Sequence, residues 1–329
     1  MHSLNDFKDS ILNINADSFE ELSLEIFNFQ VKANKIYGEY ADSLGIVVDE
    51  VVSIDQIPFL PIEFFKSFDI KSGNWLAEKT FLSSGTTSAA RSKHLIEDET
   101  FYRSICKSIF ESFYGPLSES TILALLPSYQ QQGNSGLINM VDFFIKESQT
   151  EHSGYFLNDY AKLEVAIVEE LRNNRNVVLF GVSFALLEFS RYVGRNLNGL
   201  KVIETGGMKG RGREYTKEEL HAVLKEGLGI DIVHSEYGMT ELMSQAYSGG
   251  EGRFDTPDWM RIVIREMNDP FNYLQDGKTG GINVIDLANV HSCSFIETKD
   301  IGIVRTDGKF EILGRIDNSD LRGCNLLVT

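Results

Sequence analysis

Apolar residues return every three or four positions through the first 45 residues. Within FEELSLEIFNFQVKANKIYGEY the stripe runs Phe19, Leu22, Ile26, Phe29, which predicts helix. The next apolar stretch, IPFLPIEFFKS, is broken by Pro58 and Pro61 and argues against regular helix. It reads as a lead into the first sheet. From Thr121 two periods alternate. TILALLP predicts a buried strand, GLINMVDFFIK a helix and HSGYF a short strand. DYAKLEVAIVEELRNN predicts an amphipathic helix with Leu163, Ile167 and Leu171 on one face. NVVLFG, LKVIE and IDIVHS predict strands, and SFALLEFSRYV a helix between the first two. TKEELHAVLKEG predicts a helix with a capping box from Thr216 to Glu219 and Gly227 as its stop. Strands alternating with helices imply a parallel sheet covered on both faces.

After about Leu242 the pattern changes. Turn pairs at Asp276-Gly277, Gly280-Gly281 and Asp307-Gly308 separate RIVIRE, INVID, SFIET, IGIVR and FEILG, the pattern of antiparallel hairpins. The expected fold class is therefore α/β, with an α/β body over residues 1–245 and a β-rich C-terminal subdomain over 246–329.

Composition narrows the function classes. The chain has 329 residues and a formal net charge of −17, which excludes broad nucleic-acid binding, since that needs a basic face. No apolar run is long enough to span a bilayer, and MHSLNDFKDS lacks a signal core, so a cytoplasmic protein is expected. Cys106, Cys293 and Cys324 form no CxxC pair, which argues against a zinc site.

Open α/β sheets bind ligands beyond the carboxyl ends of their strands. Three unusual segments fall there. Ser83-Ser84-Gly85-Thr86-Thr87-Ser88 follows KTFL and is either an ordinary hydroxyl-rich turn or a nest of backbone N–H groups and hydroxyls for an anion. Thr205-Gly206-Gly207, with Lys209, Arg211 and Arg213 close behind, is either a flat patch for a planar ring or a solvated loop before a helix. Tyr237-Gly238-Met239-Thr240-Glu241 sets an aromatic ring, a hydroxyl and a carboxylate side by side. It is a metal-holding loop with Glu241 on Mg²⁺, or a strand-to-helix turn with Glu241 exposed. Asp300, read as preceding a strand, could accept two ribose hydroxyls and Arg315 could pair with phosphate or ribose, or each is a solvated charge at a hairpin end. Gly181-Val182-Ser183-Phe184-Ala185 approaches the G-x-S-x-G elbow of serine esterases, although a helix cap at Ser183 is the plainer reading.

The order of these motifs between residues 81 and 323 resembles the adenylate-forming superfamily of acyl- and aryl-CoA ligases. The blocks IPFLPIEFFKS, LLPSYQQQGNSGLINMV, IETGGMKGRGRE, EYGMTELMSQ and GRIDNSDLRGC resemble, more narrowly, the LuxE-like acyl-protein synthetases. The resemblance implies ATP and Mg²⁺, activation of a carboxylic acid, a fatty acid in that family, and transfer to a thiol of the chain itself, of a partner protein or of coenzyme A. By motif, Ser83, Ser84, Gly85, Thr86 and Thr87 would hold phosphates, and Gly206, Gly207, Tyr237 and Gly238 would enclose adenine. Thr240 would touch the α-phosphate, Glu241 would carry Mg²⁺, Asp300 would bind ribose and Arg315 would assist. The apolar stretch from Leu137 to Phe144 would line an acyl pocket or pack in the core.

Two departures stand out. Superfamily members continue past a Gly-Arg-x-Asp hinge into a lid with a catalytic lysine, which is expected to be absent here. GRIDNSDLRG is also one residue shorter than the usual hinge, with Asp320 near where lysine is common. Lys209, Arg211 or a partner protein is expected to supply the substitute cation, and Cys324, near Arg322, is either the acyl carrier or a packed terminal cysteine. A Ser183 esterase and a non-catalytic nucleotide-binding partner are the competing readings.

Overall fold

The computed structural model describes residues 4–83, 91–127, 133–157, 159–206 and 215–316. Helices α1 (Leu4–Leu12), α2 (Phe19–Ala33) and α3 (Lys35–Ser43) open the chain. In α2 the buried stripe is Phe19, Leu22, Ile26 and Phe27, while Phe29 is half-buried. The proline-broken segment supplies strand β1 (Leu60–Pro61) and one turn of helix, α4 (Phe64–Ser67). Strand β1 pairs in parallel with β13 (Phe295–Val304), so the lead-in joins the C-terminal half of the fold rather than the parallel body.

Strands β2 (Lys79–Leu82) and β3 (Lys93–Ile96) form a two-stranded antiparallel hairpin outside the main sheet. The hydroxyl-rich segment therefore connects two hairpin strands and does not follow a strand of the parallel sheet, as had been expected. The burial pattern explains the difference: β3 alternates half-buried and buried positions, as a strand covered on one face does. Helix α5 (Glu99–Tyr114) is absent from the predicted elements. It starts at Asp98, whose carboxylate accepts the Phe101 N–H, and it buries Tyr102, Cys106 and Phe110.

Strands β4 (Ser120–Leu125), β5 (Gly154–Tyr155), β6 (Asn176–Gly181), β7 (Lys201–Thr205) and β8 (Val233–Tyr237) pair in parallel in the order β5-β4-β6-β7-β8. Helices α6 (Gly136–Ser148), α7 (Tyr160–Arg172), α8 (Ser183–Tyr192) and α9 (Lys217–Leu228) connect or follow them. Every residue of β4 is buried, as expected of a strand with both faces covered. The capping box from Thr216 to Glu219 is present, but α9 stops at Gly229, whose φ of +63° suits a residue without Cβ. Gly227 lies inside the helix, where a Cβ would meet Ser190 of α8 at 2.9 Å. It permits a close crossing of two helices and is not the stop.

The main sheet then continues without interruption. Strand β9 (Ala246–Ser248) folds back antiparallel on β8, and β10 (Arg253–Asp255), β14 (Phe310–Arg315), β13, β12 (Thr279–Asp286) and β11 (Met260–Arg265) follow in that spatial order. The short strands β9 and β10 are not among the predicted elements. SFIET and IGIVR form one strand, β13, with a register shift between Ile301 and Gly302. Gly277 and Gly308 sit at turns with φ of +82°, but Gly280 and Gly281 lie within β12. Their bareness serves Arg265: a Cβ on Gly280 would overlap its carbonyl oxygen, and one on Gly281 its guanidinium. That guanidinium is buried and donates to Thr298 O at 2.9 Å and Ile282 O at 3.2 Å.

The core beneath the parallel strands includes Phe110, Phe144 and Phe180, with ring centroids 4.8 to 6.3 Å apart. Ile138, Met140, Val141 and Phe144 of the Leu137–Phe144 stretch are buried. Cys106 and Cys293 are free and buried. Among the described residues no helix is long and apolar enough to cross a membrane. Gly280→Ala is expected to destabilise the protein by about 1–3 kcal/mol in urea denaturation, because the overlapped atom is backbone and cannot rotate away.

Candidate active site

The carboxyl ends of β7 and β8 are neighbours, with Thr205 opposite Glu236. Strand β8 ends at Tyr237, and the chain bends through Thr240 and Glu241 before β9 returns beside it. The bend thus joins two antiparallel strands and is not a strand-to-helix turn, and Glu241 is 6% exposed rather than in solvent. Buried polar contacts hold it. His94 Nδ1 lies 2.8 Å from Thr240 O, and Asn289 Nδ2 donates to Glu241 O at 2.8 Å. Asn289 Oδ1 lies 2.9 Å from His94 Nε2, which ties the β2–β3 hairpin to the bend. Burial pushes the His94 ring down to about 4, with the Thr240 and Asn289 contacts pulling the other way. The Asp286 carboxylate accepts the N–H groups of Met243 and Ser244 at 2.9 Å and the Ser244 hydroxyl at 2.7 Å. Gln30 of α2 braces the segment that carries Asn289: its Nε2 donates to Asn289 O and Val290 O, and its Oε1 accepts from Ser294 N–H.

The foot of the hydroxyl-rich segment reaches the same place. Ser83 N–H donates to Ser92 O and Ser92 N–H to Ser83 Oγ, both at 3.0 Å. Ser92 in turn bonds the Glu241 side chain. Burial pushes that carboxyl up, opposed by Ser92 and, more weakly, by Arg315 and Lys66. Glu241 is a buried carboxylate with no ion pair among the described residues. Among the described residues no group of three His, Cys, Asp or Glu side chains stands ready for a metal. One hard oxygen donor beside the Ser92 hydroxyl fits Mg²⁺, which takes one or two carboxylates and completes its shell with phosphate oxygens and water.

Asp300 sits inside β13, at the register shift, and does not precede a strand. It is opposite Arg315, whose Nε lies 3.9 Å from Asp300 Oδ1, and Tyr237 donates its hydroxyl to Asp300 Oδ2 at 3.0 Å. Burial pushes the Asp300 carboxyl up, while Tyr237 and Arg315 pull it down. The Tyr237 ring packs edge-on to Phe254 and Phe310, with centroids 6.0 and 5.5 Å away. Gly206, just past the end of β7, has φ of +70° and, among the described residues, nothing within 4 Å of where a Cβ would stand. The structure therefore gathers Ser83, Gly206, Tyr237, Gly238, Thr240, Glu241, Asp300 and Arg315 around one edge of the sheet. Ser84, Gly85, Thr86, Thr87, Gly207, Lys209, Arg211, Arg213, Asp320, Arg322 and Cys324 lie outside the described residues.

Ser183 does not act as a helix cap: Val182 holds the cap position and makes no side-chain cap bond. The Ser183 hydroxyl is buried, 2.6 Å from Gly206 O and 3.0 Å from Glu204 Oε1. A serine enclosed between two acceptors is not an accessible nucleophile, which removes the geometric basis of the esterase reading. Ser183 instead fastens Gly206.

The chain pattern did not single out His94, Asn289, Asp286, Ser92 or Glu236. For Asp286 a signal existed: a carboxylate closing the apolar strand INVID is costly to bury unless something local satisfies it. Glu236 is half-buried, and its Oε1 lies against Gly238 so closely that a Cβ there would overlap it. Burial pushes Glu236 up to about 7, with the Glu204 charge adding and Lys217 opposing.

A family model described as "Acyl-protein synthetase, LuxE" matches residues 13–329. Among curated proteins nothing matches. Several solved structures share the fold. A 2-hydroxyisobutyryl-CoA ligase in the postadenylation state, in complex with R3-HIB-AMP, aligns with a TM-score of 0.65 at 12% identity, covering 97% of this chain and 73% of that one. ATP-bound MatB from Rhodopseudomonas palustris aligns at 0.53 and 17%, covering 72% and 47%. The amide bond synthetase McbA from Marinactinospora thermotolerans aligns at 0.51 and 17%, covering 73% and 49%. The aligned part is thus about half the length of the latter two, and at these identities the likeness is one of fold.

Glu236 predicts a pH dependence. Its folded-state pKa lies above the ordinary carboxylate value of 4.5, so its contribution is fully present below 4.5 and is lost as pH rises through about 7. Glu236→Gln is expected to stabilise the protein above pH 7, by on the order of 1–3 kcal/mol, and to do little at pH 4.5. Thermal or urea denaturation at both pH values measures the difference.

Proposed function

Because the chain belongs to the LuxE acyl-protein synthetase family, we propose that it activates a carboxylic acid with ATP as an acyl-adenylate and passes the acyl group to a thiol. The observation that carries this reading is the Tyr237–Asp300–Arg315 contact set lying on the same sheet edge as Glu241 and Gly206. In the first step a carboxylate oxygen attacks the α-phosphorus, the bond from that phosphorus to the bridging oxygen breaks, and pyrophosphate leaves. In the second a thiolate attacks the acyl carbon, AMP leaves, and a thioester remains.

Each residue then has a task. Asp300 accepts the ribose hydroxyls, with Tyr237 and Arg315 orienting its carboxylate. Gly206 and Gly207, bare of side chains, and the Tyr237 ring border the adenine. Ser83, Ser84, Gly85, Thr86 and Thr87 donate to the β- and γ-phosphates. Thr240 donates to the α-phosphate, and Glu241 holds Mg²⁺. When bound, Mg²⁺ neutralises charge between the carboxylate and the phosphates. Lys209 or Arg211 supplies a further cation to the developing charge. Cys324 is the acyl acceptor within the chain, from which a partner protein or coenzyme A takes the group.

Exchange of labelled pyrophosphate into ATP, dependent on added carboxylic acid, tests the reading. Asp300→Ala is expected to raise the KM for ATP about tenfold to a hundredfold, because a truncated donor–acceptor pair weakens binding of one substrate. Glu241→Gln is expected to lower the exchange rate on the order of a hundredfold. Exchange at the parental rate in both variants contradicts the assignment. Cys324 has a separate readout. With ATP and labelled acid the protein should acquire a hydroxylamine-labile label, lost in Cys324→Ser while pyrophosphate exchange continues. Label persisting in that variant removes Cys324 as acceptor.

A further inference from the structure

The one-turn helix α4 is fastened to two separate parts of the candidate site. Ile62, which leads into it, donates its N–H to Glu297 O at 2.9 Å, and the Glu63 carboxylate pairs with Lys299, the residue before Asp300. Phe65 is fully buried and packs edge-on to His94, with ring centroids 5.9 Å apart. His94 in turn holds Thr240 O. The helix thus bridges the strand that carries Asp300 and the hairpin that supports the bend of Thr240 and Glu241.

Lys66 stands one turn beyond Glu63, to whose carbonyl its N–H donates at 2.9 Å, so the two side chains leave α4 on the same face. That is the face Glu63 turns to Lys299. The charge of Lys66 reaches the site. Burial pushes the Glu241 carboxyl up, Ser92 opposes it first, and Arg315 and Lys66 are the charges that add to that opposition. The neighbouring cations are engaged: Arg315 faces Asp300 at 3.9 Å, Lys299 pairs with Glu63, and Lys93 pairs with Asp69. Lys66 is exposed, and its amine makes no ion pair or hydrogen bond among the described residues. An exposed lysine without a partner is ordinary. Position sets this one apart, on a helix anchored beside Asp300 and, through His94, to Thr240.

We propose that the Lys66 ammonium contacts the α-phosphate of ATP and is a catalytic cation of this site. The proposal rests on the adenylation reading for the place of the nucleotide, and it adds a cation to the one assigned to Lys209 or Arg211. The α-phosphate is joined to the ribose, which Asp300 would hold, and meets Thr240, so it falls in the interval that α4 spans. When the acid's carboxylate attacks, two anions come together, and negative charge gathers on the phosphate oxygens until pyrophosphate leaves. An ammonium carried by a packed helix opposes that charge. Lys66 forms and breaks no bond in the step. A lysine already paired with a carboxylate would have to give up that partner first, and Lys66 has none to give up among the described residues.

The test uses the full chain. Calorimetric binding of AMP and of adenosine is measured beside acid-dependent pyrophosphate exchange. Lys35→Met, at an exposed lysine of α3 paired with Glu39, controls for the loss of one positive charge and should match the parent. Lys66→Met should weaken AMP binding about tenfold to a hundredfold and leave adenosine binding unchanged, because only AMP carries the phosphate. Its exchange rate should fall about a hundredfold with the urea midpoint kept, and Lys66→Arg should recover part of both losses. Parental AMP binding and exchange in Lys66→Met overturn the proposal and leave adenylation standing. Equal loss of AMP and adenosine binding overturns it too, since a phosphate contact affects AMP alone. AMP binding that depends on Lys66, in a parent chain that shows no exchange, keeps the phosphate contact and sinks adenylation. A parent chain that neither binds AMP nor exchanges sinks both.

Discussion

Everything at the candidate site depends on a short bend whose backbone oxygens are held by buried side chains. Thr240 O and Glu241 O face His94 and Asn289 at 2.8 Å, and neither carbonyl has a ladder partner, because the bend lies between strands. A buried carbonyl without a partner is costly, so the bend persists only where donors are built around it. The two contacts and their brace come from three distant parts of the chain. His94 arrives on β3, Asn289 follows β12, and Gln30 of α2 braces the segment of Asn289. The N-terminal helices, the separate hairpin and the C-terminal strands thus meet at one point, and the carboxylate of Glu241 is set there as a consequence.

The same arrangement explains why one continuous sheet suits the site. The parallel strands deliver Gly206 and Tyr237 at their carboxyl ends. The antiparallel strands deliver Asp300 and Arg315 from the opposite direction, as a facing pair at a register shift. Strand β9 joins the two halves and turns the chain back so that Tyr237 can reach Asp300. On the proposed reading a nucleotide would take its flat patch from one half of the sheet and its polar ribose contact from the other.

The parallel strands and the helices between them were legible because the chain alternates its hydrophobic period there, and burial follows that period closely. Errors arose where one residue type has two physical uses. Gly227 looked like a helix stop but makes room for Ser190, and Gly280-Gly281 looked like a turn but makes room for Arg265. A three-residue strand such as β9 carries too few positions to show alternation, and β2–β3 did not announce that it would stand apart from the sheet. Of the site, the loops were legible as compositions of glycine, hydroxyl and acid. Their supports were not, since His94, Asn289 and Asp286 act through tertiary contacts that no local spacing encodes. Glu236 was hidden for the same reason: its burial against Gly238 exists only in the folded chain.

A structure of the protein with a non-hydrolysable acyl-adenylate analogue, in Mg²⁺-containing buffer, tests the central claim most directly. The account predicts the adenine between Gly206 and the Tyr237 ring, both ribose hydroxyls on the Asp300 carboxylate, and the phosphate-mimicking group beside Thr240 and Glu241. An analogue bound elsewhere, with Asp300 still paired only to Tyr237 and Arg315, contradicts it.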